Sequence, residues 1–403
     1  MHATARRLAA CIPLLSTGAA GVAHTQPEQP DPVPAFEIPA EPERPMVTPP
    51  SVDWEADRPR SIILILCDGM GPTMVATVAE LTADTRGPLQ IENMPVVGLI
   101  RTASATGIVT DSAASATAYA TGERVYNGEL NWHEDGAVYQ TLTELAEEQG
   151  RATGLLTTTN LTDASPAAFI ARAPSRGRHV EIFRQMADSP VDLLVGGLRS
   201  ASRRVDAEHE DIPEDPIMSP ILRAQANDAG RLVLSDAALL PETTDAGTRL
   251  LIAYPKRPRY SDAFGPRMDG TLERALALLG TDPDGFFVMA EIEETDSGGH
   301  ANDTERVVNG LIEGDDTLRV ALAYQQAHPD TLVILTADHD TGAMSYDNEG
   351  HYRSPDGVVT WISGNHTAAR VPVFAAGPGA HRFTGVMQNT ELHDRLAELL
   401  AQD

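Results

Sequence analysis

Short apolar runs that stop at a carboxylate recur along this chain. Ile62-Ile63-Leu64-Ile65-Leu66-Cys67 ends in Asp68-Gly69-Met70-Gly71, and Phe286-Phe287-Val288-Met289-Ala290 ends in Glu291. Leu332-Val333-Ile334-Leu335-Thr336-Ala337 ends in Asp338-His339. Runs of this length, bounded by Gly and Asp, read as buried strands of an open α/β sheet. The fold class that follows is a doubly wound, mostly parallel central sheet with helices on both faces. Such sheets collect ligands at the carboxyl ends of their strands. Three strands therefore deliver carboxylates and an imidazole to one rim. Buried carboxylates repel one another unless cations lie between them, so the rim reads as a metal site.

Further strands are expected at Ala152–Leu156, Val191–Val195, Arg249–Ala253 and Val371–Ala375. Leu392, Leu396, Leu399 and Leu400 follow helical spacing, as do Tyr139, Leu142, Leu145 and Ala146 before Gly150. Val307, Val308, Leu311, Ile312, Leu318 and Leu322 mark a long helix weakened by Gly310 and Gly314. Residues 199–267 are irregular and charged, and read as an insertion or lid within a single catalytic domain over 58–403.

With 58 acidic against 30 basic residues, the formal charge of -28 argues against nucleic acid or an anionic membrane surface as partner. Residues 1–23 read as a signal peptide: Arg6 and Arg7 precede an apolar stretch from Leu8 to Leu15, and small residues follow from Gly18 to Ala23. The stretch is too short to span a bilayer. Leu8-Ala9-Ala10-Cys11 resembles a lipoprotein box with almost no hydrophobic segment before it, so a periplasmic or secreted location without a lipid anchor is expected. Residues 24–57, rich in Pro and Glu, read as a disordered linker. Once Cys11 is removed, only Cys67 remains, so an internal disulfide is excluded.

In Thr110-Asp111-Ser112-Ala113-Ala114-Ser115-Ala116-Thr117-Ala118 a serine opens a run of small helix-compatible residues. A helix N-terminus offers unpaired N–H groups and a positive dipole end, which suits a phosphoryl oxygen. Alone, the motif is an ordinary N-cap. Its company changes that reading. Asp296 and His300 stand four apart, His366 precedes another strand, and together they form a His2Asp set suited to a catalytic zinc. Asp68, Asp338 and His339 form a second set.

These segments resemble the alkaline phosphatase family, in the family's order from about Ser61 to about Thr384. The matching motifs are Asp68-Gly69-Met70-Gly71, Asp111 to Ala118, Thr121 to Gly128, Asp163 to Ala168, Ser175-Arg176, Glu291 to His300, Thr336 to His339, and His366. The resemblance implies that Ser112 is the nucleophile, phosphorylated in turn, within a phosphomonoesterase. It implies that Asp296, His300 and His366 hold one zinc, and that Asp68, Asp338 and His339 hold a second. Asp68, Ser165 and Glu291 would hold magnesium, with Asp163 beside them. Arg176 would clamp two phosphate oxygens, with Asp111 orienting it. Small phosphate monoesters as substrates, inorganic phosphate as product and a homodimer are implied as well.

Ser297 departs from the pattern, standing where relatives often carry Lys, His or Trp, and weaker retention of product phosphate is the expected result. Cys67, in place of a usual glycine, reads as a buried thiol. The rival readings are a phosphodiesterase or nucleotide pyrophosphatase of the same superfamily and, from another class, a non-catalytic phosphate-binding protein. A serine nucleophile and Glu291 favour monoesters. A sulfatase is excluded, because no Cys-x-Pro-x-Arg or Ser-x-Pro-x-Arg segment appears at the nucleophile.

Overall fold

The computed structural model describes residues 46–48, 58–208, 217–235, 247–254, 267–346 and 359–401. The expected signal peptide, Cys11, nearly all of the linker and parts of 199–267 lie outside these residues.

The apolar runs form the middle of a ten-stranded sheet. In chain order its first strands are β1 (Ser61–Cys67), β2 (Val96–Arg101), β3 (Ala152–Asn160), β4 (Leu193–Gly197), β5 (Arg231–Leu234), β6 (Arg249–Tyr254), β7 (Phe286–Ile292) and β8 (Thr331–Thr336). Four two-residue strands follow in side ribbons: β9 (Asp340–Thr341), β10 (Ser345–Tyr346), β11 (Val359–Thr360) and β12 (His366–Thr367). The main sheet is completed by β13 (Val371–Ala376) and β14 (Gly385–Gln388). Across the sheet the order is β14-β2-β13-β8-β1-β7-β3-β4-β6-β5.

All neighbours are parallel except β13, which runs against both β2 and β8. Every residue of β1, β7 and β8 is buried. That two-sided burial is why their sequences are unbroken apolar runs rather than alternating ones. At the other side β2 alternates between buried and more exposed positions, and neither it, β5 nor β14 was anticipated from hydrophobic runs.

Register carries the consequence for function. Thr336 pairs with Leu66, Leu66 with Glu291, and Glu291 with Thr157, so one row crosses β8, β1, β7 and β3. Asp68 and Asp338 each lie two residues beyond that row. The carboxyl ends of these parallel strands therefore lie on one side of the sheet, and the residues at and just beyond the row meet at one rim.

The long helix expected from Val307 to Leu322 is Thr304–Ala327, and it runs unbroken through Gly310 and Gly314. A Cβ on Gly310 would stand 2.9 Å from the Thr295 nitrogen, and one on Gly314 would stand 2.5 Å from Cys67 Sγ. The glycines let this helix lie close to the helix Glu294–Ala301 and to β1, and tertiary contact outweighs their low propensity. The helix expected from Tyr139 starts later, at Leu142, because Thr141 caps it: Thr141 Oγ1 accepts from the Glu144 N–H and Glu144 Oε2 accepts from the Thr141 N–H. Leu392, Leu396, Leu399 and Leu400 are the buried face of the helix Asn389–Leu400, as their spacing predicts.

Within 199–267 the described residues are not irregular: besides β6, the strand expected at Arg249–Ala253, they form the helices Arg199–Glu208 and Pro220–Asp228 and the edge strand β5. Polar helix faces hide this order from a search for apolar runs. No helix among the described residues is long and apolar enough to cross a membrane.

Candidate active site

At the rim, His339 Nε2 lies 3.2 Å from Asp338 Oδ2, 3.6 Å from Asp68 Oδ1 and 3.2 Å from Ser112 Oγ. His339 is fully buried, and Asp68, Asp338 and Ser112 are nearly so. Asp338 Oδ1 accepts from the N–H groups of Gly69 and His339, while Asp338 Oδ2 and Asp68 Oδ1 have no hydrogen-bond partner. Unpaired buried carboxylate oxygens are costly. Here they face the same imidazole.

Ser112 is the first residue of the helix Ser112–Thr121, every residue of which is buried. Asp111 caps it, with Oδ1 accepting from the Ala114 N–H and Oδ2 from the Gly128 N–H. Small side chains allow so complete a burial, and Ser115 Oγ and Tyr119 OH donate to the backbone oxygens of Asp338 and Ala337. The helix is thus fastened to the loop that carries Asp338 and His339. Arg176 reaches the same place. Its Nη2 lies 2.7 Å from Asp163 Oδ1 and its Nη1 lies 3.4 Å from Asp111 Oδ2. Asp163 therefore has the shorter hold, where the resemblance pointed to Asp111 as the orienting group.

Asp296 and His300 stand one turn apart on the helix Glu294–Ala301, and β12 brings His366 to them. His300 Nε2 and His366 Nε2 are 3.5 and 3.6 Å from Asp296 Oδ1 and 3.1 Å from each other. The other ring nitrogens face the backbone oxygens of Gly364 and Thr110, both at 2.8 Å. A carbonyl only accepts, so each Nδ1 carries the proton and each Nε2 presents a lone pair. His339 follows the same logic: Thr341 Oγ1 donates to Asp296 Oδ1 and can only accept from His339 Nδ1. Three imidazole lone pairs and three carboxylates thus converge.

Beside them, Glu291 Oε2 accepts from Thr157 Oγ1 at 2.5 Å, and the Ser165 hydroxyl is near enough to lower the Glu291 pKa. Ser165 lies in the short helix Ala164–Ala168, capped by Asp163.

Electrostatics agree with the geometry. Burial, then the neighbouring Asp338, Asp296 and Glu291, push the Asp68 carboxyl well above its usual range. Burial also raises Asp338, and it raises Glu291 to about 8 against the pull of Ser165 and Thr157. Burial holds His339 neutral, lowering it to about 3. A divalent cation reverses each of these tendencies for the carboxylates and takes the histidine lone pairs. Two groups have ligand atoms all within 4.8 Å of one another: Asp296, His300 and His366, and Asp68, Asp338 and His339. Orphaned oxygens, facing lone pairs and the mixed N/O donor set all fit divalent metals.

The sequence profile of the alkaline phosphatases matches residues 59–215 and 255–355. The chain belongs to the alkaline phosphatase family. Streptomycin-6-phosphate phosphatase of Streptomyces griseus is 30% identical, with 86% of this chain and 93% of that protein covered. Alkaline phosphatase of Escherichia coli K12 is 28% identical over 84% of this chain and 86% of its own. Among solved structures, alkaline phosphatase from the Antarctic bacterium TAB5 superposes with a TM-score of 0.74 at 27% identity, covering 87% of this chain and 100% of that one. The Thermus thermophilus enzyme shares the fold, with a TM-score of 0.75 at 22% identity over 89% of this chain and 94% of that one. This member is accordingly a metal-dependent phosphatase acting on phosphate esters.

Thr157 and Thr341, which bond Glu291, Asp296 and His339, escaped the sequence reading. Nothing local marks Thr157: only the register of β3 against β7 brings it to Glu291.

Proposed function

We propose that the chain is a periplasmic or secreted phosphomonoesterase, homodimeric, that works through a phosphoserine at Ser112 with two zinc ions and one magnesium. The observation that carries this reading is the Ser112 hydroxyl at a buried helix N-terminus, 3.2 Å from His339 Nε2, beside two ligand clusters and the guanidinium of Arg176. Asp296, His300 and His366 are the donors for one zinc, and Asp68, Asp338 and His339 for the other. Asp68, Ser165 and Glu291 are the donors for magnesium, with Asp163 adjacent. A mutant of TAB5 alkaline phosphatase, 26% identical with a TM-score of 0.73, has Mg bound in its M3 site, which supports magnesium as one of the metals.

Bound there, divalent ions favour the deprotonated forms of a hydroxyl and of water and offset negative charge on the reacting oxygens. Arg176 donates two N–H bonds to non-bridging phosphate oxygens, and Asp163 and Asp111 fix its plane. The Ser112 oxygen forms a bond to phosphorus while the ester oxygen–phosphorus bond breaks and the alcohol departs with a proton. Water then attacks phosphorus, the Ser112 oxygen–phosphorus bond breaks, and phosphate leaves. Two in-line displacements give net retention at phosphorus.

Turnover of p-nitrophenyl phosphate tests the reading. It should disappear with EDTA, return with zinc and magnesium, and fall by orders of magnitude in Ser112→Ala. Near-normal turnover in that variant would remove the serine from the mechanism. Faster hydrolysis of bis(p-nitrophenyl) phosphate than of the monoester would favour a diesterase.

A further inference from the structure

A cleft of about 650 Å³ opens beside the proposed phosphate clamp, and its lining contradicts the composition of the chain. Acidic residues outnumber basic ones 58 to 30 overall. Yet Arg178, Arg184, Arg203 and Arg204 line this cleft with His179, and Glu181 is its one acidic lining residue. Its walls are the helices His179–Asp188 and Arg199–Glu208.

Arg178 Nη1 pairs with Glu181 at 2.9 Å. Among the described residues, no carboxylate pairs with Arg184, Arg203 or Arg204. Exposed arginines usually serve only solubility, but in a chain of charge -28 the carboxylates already provide it. Guanidinium groups gathered around one concavity repel each other, and an anion relieves that repulsion. The first turn of the helix His179–Asp188 adds N–H groups that no side chain caps.

Position links the cleft to the reaction centre. Gly177 and Arg178, which line it, directly follow Arg176, and adjacent Cα atoms are about 3.8 Å apart. His179 Nδ1 lies 3.1 Å from Thr162 Oγ1, next in sequence to the Asp163 that holds Arg176. The helix Arg199–Glu208 follows β4, whose carboxyl end faces the same rim as β1, β7 and β3. The volume falls within the roughly 300–1,000 Å³ of small-molecule sites, more than one phosphate needs.

We propose that this cleft is a second anion subsite, and that the preferred substrates are phosphate monoesters carrying a second phosphoryl group. The inference rests on the phosphomonoesterase reading above. The group cleaved lies at Ser112 and Arg176, while the second is held, uncleaved, by Arg184, Arg203 and Arg204.

Steady-state kinetics on the metal-loaded enzyme tests it, with fructose 1,6-bisphosphate, fructose 6-phosphate and p-nitrophenyl phosphate as substrates. The wild type should show a KM for the bisphosphate about tenfold below that for the monophosphate, as charge-assisted contacts allow. Replacing Arg184, Arg203 and Arg204 together by Ala should close that gap and leave kcat and KM for p-nitrophenyl phosphate unaltered. The triple Lys variant should keep most of it. Equal KM values in the wild type, or a rise for all three substrates alike in the Ala variant, would overturn the subsite while leaving the phosphatase reading intact. Absence of turnover on p-nitrophenyl phosphate in the wild type would instead defeat the reading beneath it.

Discussion

At the residue scale, hydrogen bonds decide which atoms are free to act. Ser297 Oγ donates to Glu293 Oε1 one turn back, so this position offers a phosphate neither a cation nor a free hydroxyl. Ser297→Lys should therefore strengthen inhibition by inorganic phosphate several-fold; an unchanged inhibition constant would refute the link between this residue and product retention. Far from the rim, Glu147 gives a pH signature. Burial raises its carboxyl from 4.5 to about 7, against the pull of the Thr153 hydroxyl. The folded chain thus holds this proton more tightly than the unfolded one, and stability is lost as pH rises from 4.5 through about 7. Glu147→Gln keeps an acceptor for Thr153 and removes the titration. Its Tm should exceed that of the wild type at about pH 8 and vary less with pH; parallel curves would contradict the assignment.

At the element scale, the helix Thr304–Ala327 sets the position of the one bearing Asp296 and His300. Gly310→Ala gains about 1 kcal/mol of helix propensity, but its Cβ meets the Thr295 nitrogen and the Glu294 backbone, and overpacking costs about 1–3 kcal/mol. The crowded partner is backbone of the helix bearing Asp296 and His300, so turnover should drop along with stability. Gly314→Ala crowds Cys67 Sγ instead. Its cost should appear in urea midpoints with turnover nearly retained, and adding Cys67→Ala should restore most of the stability. Equal loss of turnover in both variants would show that the contacts are not separable in this way.

At the scale of the whole molecule, Asp68, Glu291, Asp296 and Asp338 from separate strands and loops share one rim, and burial drives three of them toward protonation. Cations that bind only the folded arrangement stabilise it by mass action, about 4 kcal/mol at a thousand times Kd. Stripping metal with EDTA should lower Tm by about 10 °C, and zinc with magnesium should restore it. An unchanged Tm would mean that the rim holds together without ions.

Part of this was written in the chain itself. Strands buried on both faces must be apolar throughout, so β1, β7 and β8 stood out, and the polar residues ending them marked the rim. Small residues after Ser112 announced a helix that could be buried whole. Tertiary structure decided what no local pattern encodes. The reversed direction of β13 depends on the path of the connection that precedes it, and β5 extends the sheet edge beyond β6 where the sequence looked irregular. The row from Thr336 to Thr157 exists only once four strands pair in register, and the shorter hold of Asp163 on Arg176 depends on two loops meeting. Local chemistry specifies which residues are available; distances between segments far apart in sequence are fixed only when the core closes.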